Sequence, residues 1–450
     1  MREIHQLRDV ESLAAYGITL STPSSQAAKL FDAAISQFVG WYSDTQLGGM
    51  ESTMERMLNA DPEFIGGRTL VYCVETISGR NANNSPELRD QIERIATDAQ
   101  LKVNATKWEK LQVNALQHLS NEDPDTAIRQ WEEILVEFPS DILSLHLAGI
   151  TCLISGRLER IGDISGRILP SFKDECSLSS VHAWHSFGLS ETNLFTQAER
   201  HAYTAMSMEP RCGWSAHSLA HVFEMTSRCE EGVAFMNQSE LSWNFSDRIA
   251  GHNYWHWSLY HLTKGEFDAA KNLLEEQLFK HSTRDSLSLL YLMSMEDISI
   301  DEVLDKHYER IGEIVDLYKT DDHHRPFIDA HVMMGLCVTK KYDEAEEYMN
   351  ESIRSDHLQG KIVNENLLRS ILAYSRESYS ECVQLLWPIK HNIKQIGGSN
   401  AQRDLFNLML INASLRSHKL NDKLLARQLI EEREIHRSKS LRIERLKNLL

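Results

Sequence analysis

Two histidine pairs, His217/His221 within GWSAHSLAHVFEM and His252/His256 within AGHNYWHWSLYH, are the residues of this sequence best suited to chemistry. Residues four apart lie one above the other on a helix. Each pair therefore sets two imidazoles on one face, and Glu224 extends the first pair along it. Neutral imidazole is the commonest protein ligand for zinc, copper and iron, and carboxylates complete many such sites. The same groups can act as general acid and base without a metal, because histidine titrates near neutrality. Neither pair reads H-E-x-x-H, and the order His221-x-x-Glu224 reverses the Glu-x-x-His of helical di-iron bundles. A histidine in a helix also serves simply to donate a hydrogen bond or to pack on an aromatic ring. A site and a structural role both stay open at this point.

Other chemistry has no signature here. There is no G-x-x-x-x-G-K-[ST] loop, no G-x-G-x-x-G and no G-x-S-x-G elbow, which argues against nucleotide-dependent and serine-hydrolase reactions. Cys212 and Cys229 flank the first histidine pair, but a nucleophilic thiol needs a partner in space. The seven cysteines form no C-x-x-C pair and read as reduced, mostly buried thiols. Trp214, Trp243, Trp255 and Trp257 read as packing residues, and the acidic runs Glu230-Glu231 and Asp321-Asp322 as solvated surface. His323 and His324, beside the latter run, are a weak metal signal on a loop.

The elements that must position these residues are helices. Ser85-Pro86-Glu87 reads as an N-cap followed by proline at the first helical position, and Trp108 to Leu119 carries apolar residues at helical period. Turns are expected at Gly48-Gly49, from Asn81 to Ser85, at Phe138-Pro139-Ser140, at Glu209-Pro210, and as a loop from Lys390 to Asn400 around Gly397-Gly398. No series of alternating strands is visible. At 450 residues the chain exceeds what one compact core supports, so it is either several domains or an elongated array. The formal net charge of -18 argues against nucleic acid or an anionic membrane as partner, and the basic stretch from Arg433 through Lys447 reads as a solvated helix face. MREIHQLRDVESLAAYG has no apolar h-region and no apolar run reaches the length of a membrane span, so a cytoplasmic protein is expected.

Internal repetition accounts for the length. A tetratricopeptide repeat runs for about 34 residues as two antiparallel helices, with small residues at fixed positions. Placing Ala127, Ile161, Ala198, Gly232 and Ala270 at the twentieth position, with Ala345 and Cys382 continuing the series, puts Gly149, Ser186, Ala220 and Ser258 at the eighth, all small. Ile161 is the poor fit. Small residues there let two helices approach closely. The register weakens from Ser288 to Arg325 and over the first hundred residues. The resulting expectation is an all-α, tetratricopeptide-like helical-hairpin solenoid: degenerate repeats in 1–107, repeats carrying the His/Glu cluster in 108–287, and further helical repeats with a basic terminal helix in 288–450.

Four segments then point to a family: GWYSDTQLGGMESTMERMLNADPEF, EPRCGWSAHSLAHVFEMTSRCEEGVAFM, HNYWHWSLYHLTKGEFDAA and FIDAHVMMGL. Together they resemble the tetratricopeptide repeat protein 38 family, whose bacterial relatives include the StaR-like helical repeat proteins. The family's HAVAHV-EM-GR and HNWWH-ALYHLE-GD patterns match in order and separation, with departures at Ser190, Ser218, Leu219 and Tyr254. The resemblance implies an all-helical fold and leaves the activity undefined.

In the repeat register, the first helix of each hairpin lines a concave groove through its second, fifth, ninth and twelfth or thirteenth positions. His217, His221 and Glu224 fall on the fifth, ninth and twelfth, His252 on a second, His146 on a fifth and Glu191 on a thirteenth. His256 lies one step from a groove position, and Asp329 and His331 open a later repeat. Two functions follow. One is a binding protein whose groove holds a small molecule or peptide through the His/Glu cluster, with Glu191, His146, Asp329 and His331 contributing. The other is an enzyme acting on a small molecule, with His217, His221, His252, His256 and Glu224 as acid-base groups or as ligands of a transition metal, zinc or iron.

Overall fold

The computed structural model of the chain describes residues 7–80, 82–83, 85–172, 175–281, 283–319, 325–354 and 361–450. Helix follows helix through short turns, and no strand occurs among the described residues. The fold is therefore all-α. No helix among these residues is long and apolar enough to cross a membrane.

The local signals act as elementary chemistry requires. The Ser85 side chain accepts from the Leu88 backbone N–H and Pro86 opens the helix Pro86–Leu101. Asn81 and Asn84, in the turn expected before it, lie outside the described residues. Thr106 and Glu109 form a capping box on Lys107–Ser120, and Ser399 and Gln402 another on Asn400–Arg416. The loop expected from Lys390 to Asn400 is shorter than the sequence suggests. A 3-10 helix runs from Trp387 to Ile396, and the break is confined to Gly397 and Gly398, whose φ values of 87° and 77° suit glycine alone. The weak register after Ser288 still gives two helices, Thr283–Met295 and Asp301–Lys319, the second irregular at His307.

The chain divides into two compact units. One comprises Met1–Leu153, Arg157–Leu219 and Leu241–Ile249, and the other Ile154–Gly156, Ala220–Glu240 and Ala250–Leu450. In the first, Phe31, Phe64, Trp108, Trp131, Trp184 and Phe187 are buried in a continuous apolar core. Its small residues sit where helices crowd. Gly149 faces the Trp184 ring, and a Cβ on Gly188 would fall on the backbone of Gly162, where the helices Glu159–Ile168 and Glu175–Glu191 cross. Ile161, the poor match to the repeat, is buried beside that crossing.

In the second unit, Tyr260 packs over Gly232 and its hydroxyl donates to the Ala220 carbonyl at 2.8 Å. Ala270, Ala345 and Cys382 are fully buried. The C-terminal segment behaves differently from the solvated face expected of it. Arg433, Arg437 and Arg442 are 8%, 7% and 5% exposed. Arg442 pairs with Glu296 at 2.8 Å, and Arg445 donates to the carbonyls of Leu262 and Thr263, both at 2.8 Å. These basic side chains neutralise buried carboxylates and cap helix carbonyls, which is why they leave solvent.

The glycine crossing gives a direct test. Gly188→Ala should destabilise the protein by about 1–3 kcal/mol through overpacking, seen as a lower thermal midpoint, because the clash is with backbone and no side chain can move aside. A midpoint unchanged from the parent protein would remove the crossing as described.

Candidate metal centre

The helix Gly213–Met225 carries His217, His221 and Glu224, and the helix Asp247–Lys264 carries His252 and His256. Helical spacing stacks each pair along one face, as the sequence suggests. Each of the four histidines offers one ring nitrogen, and these nitrogens all lie within 4.8 Å of one another. The His221 and His256 rings meet edge to face at 4.5 Å, and those of His252 and His256 at 4.9 Å. With metal–nitrogen bonds of about 2.0–2.1 Å, tetrahedral ligands sit about 3.4 Å apart. At the widest, the nitrogens must draw together by about 1.4 Å to close on one tetrahedral ion.

Two rings are oriented by carboxylates. His256 Nδ1 lies 2.8 Å from Glu224 Oε2, and His252 Nδ1 lies 2.8 Å from Asp285 Oδ2. Against an ionised carboxylate Nδ1–H is the donor, which leaves the Nε2 lone pair to a metal. This is the outer arrangement that fixes tautomer and ring direction in histidine metal sites. Imidazoles held in this way suit zinc, copper, iron or nickel.

Burial sets the protonation state. His221 is held well below its ordinary pKa first by desolvation and then by the charges of His256, His252, Arg437 and Arg403. His256 is held well below as well, by burial and His252, with Asp285 opposing. Both rings are thus neutral at physiological pH, the form that binds metal, and few protons need be displaced. Burial pushes the Glu224 carboxyl up to about 7 against the pull of Arg437, with Asp404 adding to the rise. A cation among the imidazoles would return it to the carboxylate.

A further layer holds Glu224. Arg437 Nη1 lies 3.6 Å from Glu224 Oε1, and its Nη2 lies 3.2 Å from Asp404 Oδ2. Asp404 in turn accepts both arms of Arg433, at 2.6 and 2.7 Å. Burial works against the Asp404 charge, but Arg433 and Arg437 overcome it and hold the carboxyl well below the usual range.

The remaining candidates lie in other surroundings. His146 accepts from Trp184 Nε1 at 3.3 Å and meets the Phe38 ring at 4.5 Å. Asp329 accepts from Tyr348 at 2.9 Å and from Ser352 at 2.6 Å, tying Pro326–Val338 to Tyr342–Arg354. His331 donates from Nδ1 to the Phe327 carbonyl, 2.7 Å away, and its pKa, depressed by burial to about 4, also feels Arg284, Asp285 and His252. Glu191 is buried at the end of Glu175–Glu191. None of these four belongs to the group of four histidines. Asp321, Asp322, His323 and His324 lie outside the described residues.

Trp214, Trp243, Trp255 and Trp257 are buried as packing residues, with Trp255 stacked on His252 at 5.1 Å. Burial pushes the Cys212 thiol up and the Cys229 thiol up to about 11, so neither is a ready nucleophile. Sequence reasoning overlooked His182, His185 and His201. There His182 and His201 spend their Nδ1 atoms on each other at 2.8 Å. It also overlooked Asp285, which follows His252 by 33 residues. Arg437 and Asp404 carry no such signal.

No protein-family model matches the chain.

His146 supplies a pH test. Desolvation depresses its pKa from 6.5 to about 3. Between those values the unfolded chain binds a proton that the folded chain refuses, so stability is intact above 6.5 and falls as pH drops. The slope is about 1.4 kcal/mol per pH unit from this residue. Denaturant unfolding between pH 7 and 4 should show that slope reduced in His146→Gln. Parallel slopes in the two proteins would refute the assignment.

Proposed function

We propose that this protein holds one divalent transition metal, zinc or iron, through His217, His221, His252 and His256, and that a small molecule is bound at that metal. The observation that carries the reading is the pairing of His256 with Glu224 and of His252 with Asp285, each at 2.8 Å. A histidine that merely fills a core has no need of a buried carboxylate, whose desolvation is costly. Two such pairs on adjoining rings point to a cation that repays the cost. The carboxylates also balance the charge, since two of them match one divalent ion held by four neutral imidazoles.

Burial favours a small ligand over a peptide. His217 is 3% exposed and His221 and His256 are fully buried, so an extended chain has little of them to contact. Within the group, four imidazoles close a tetrahedral zinc, whereas a six-coordinate iron keeps two positions open for a small molecule. Metal-dependent chemistry belongs to the second case. There the histidines would hold the ion, Glu224 and Asp285 would keep their rings directed, and the helical packing would exclude bulk water. The framework is read as tetratricopeptide-like on the strength of its small-residue spacing, and the tetratricopeptide repeat protein 38 resemblance rests on the same helices.

Elemental analysis of protein purified without a histidine tag should find about one zinc or iron per chain, as four ligands for one ion require. Metal content below a tenth of that, persisting after incubation with either ion, would end the proposal. Glu224→Gln keeps the shape but weakens the orienting bond, and should lower metal affinity about 10–100-fold while the metal-free protein melts near the parent temperature. Equal affinities in the two proteins would argue that Glu224 has no part in the centre.

A further inference from the structure

The four-histidine group meets solvent unequally. The His252 side chain is 12% exposed, whereas that of His256 is 0% exposed. His221 is fully buried as well. A molecule approaching from outside therefore arrives at the His252 edge. Asp285 holds that ring, and the residue before it, Arg284, lies in the first turn of Thr283–Met295.

Arg284 is the unusual charge of this neighbourhood. Its guanidinium lies over the Phe327 ring, 5.4 Å from the centroid, and the same ring packs against His331 at 4.6 Å. His331 also feels the charges of Arg284, Asp285 and His252. Arg284 makes no ion pair among the described residues, and its Nε is buried without an acceptor. The other arginines felt at the centre have partners. Arg437 and Arg433 meet Asp404 and Glu224, Arg442 meets Glu296, and Arg403 donates to the Gly397 and Gly398 carbonyls and to Asn400.

A half-buried guanidinium with a buried N–H that lacks an acceptor is unfavourable until an anion joins it. Its planar fork fits a carboxylate through two parallel N–H···O bonds, and the Phe327 face removes water from one side. A phosphate dianion would call for more than one such group. We infer that the small molecule taken at this centre is a carboxylate, whose carboxyl group is held by Arg284 while the rest of the molecule faces the His252 edge. This rests on the reading of the four histidines as a metal centre. Arg284 then selects the ligand and has no role in holding the ion.

The test uses the full-length protein loaded with cobalt(II), whose visible bands report imidazole ligation. Acetate, oxalate and inorganic phosphate are then titrated in separately. The carboxylates should shift the bands saturably and at lower concentration than phosphate. Arg284→Gln should keep the cobalt bands and the cobalt affinity, yet raise the half-saturating carboxylate concentration by about tenfold or more, as loss of a charged hydrogen-bond partner implies. Arg284→Lys should recover part of the loss. A carboxylate response identical in Arg284→Gln, a stronger response to phosphate, or no response at all with the bands intact would overturn the carboxylate assignment alone. Failure of the cobalt bands to form would instead remove the metal centre, and this inference with it.

Discussion

Glu224, 6% exposed, has one oxygen on an imidazole and the other facing a guanidinium. A carboxylate in that position is tolerable only if both neighbours stay in place. Remove Arg437 and desolvation drives the proton onto Glu224; remove His256 and the charge loses its nearest donor. The order of the surrounding groups follows from this. Arg437 is held by Asp404, and Asp404 is held by Arg433, so the charges alternate outward from the imidazole. Alternation keeps each buried ion beside one of opposite sign, the condition under which such networks are stable.

The same residue type does different work elsewhere in the chain. His146 is as buried as His221, but its neighbours are Phe38 and Trp184 and no carboxylate approaches its ring in the contacts described. It behaves as a core aromatic with a single acceptor. Asp329 is likewise fully buried, and hydroxyls from Tyr348 and Ser352 satisfy it and pin two helices together. What separates the four clustered histidines from these residues is convergence of several ring nitrogens together with carboxylates behind them, since burial is common to all.

The sequence made much of this legible. Four-residue spacing is a property of the helix alone, so the facing of His217 with His221 and of His252 with His256 could be read directly. Small residues singled out in the sequence, such as Gly149, Ser186 and Ala220, are indeed buried, Gly149 against the Trp184 ring. The register says nothing about segments that fold back. Arg437 lies 212 residues from Met225 and yet contacts its sulfur, an arrangement no local pattern encodes. For the same reason the basic stretch looked solvated. Surplus Lys and Arg usually marks a wet face, and only the three-dimensional position of Glu224, Asp404 and Glu296 gives these arginines a dry one.

The distance along the chain between Glu224 and Arg437 has a consequence for biosynthesis. A ribosome adding about 5–20 residues per second emits Arg437 roughly 10–40 s after Glu224. During that interval the helices bearing the histidines are already outside, with the carboxylate behind His256 lacking its guanidinium. The nascent chain therefore passes through a stage in which the imidazoles are present but their outer support is incomplete.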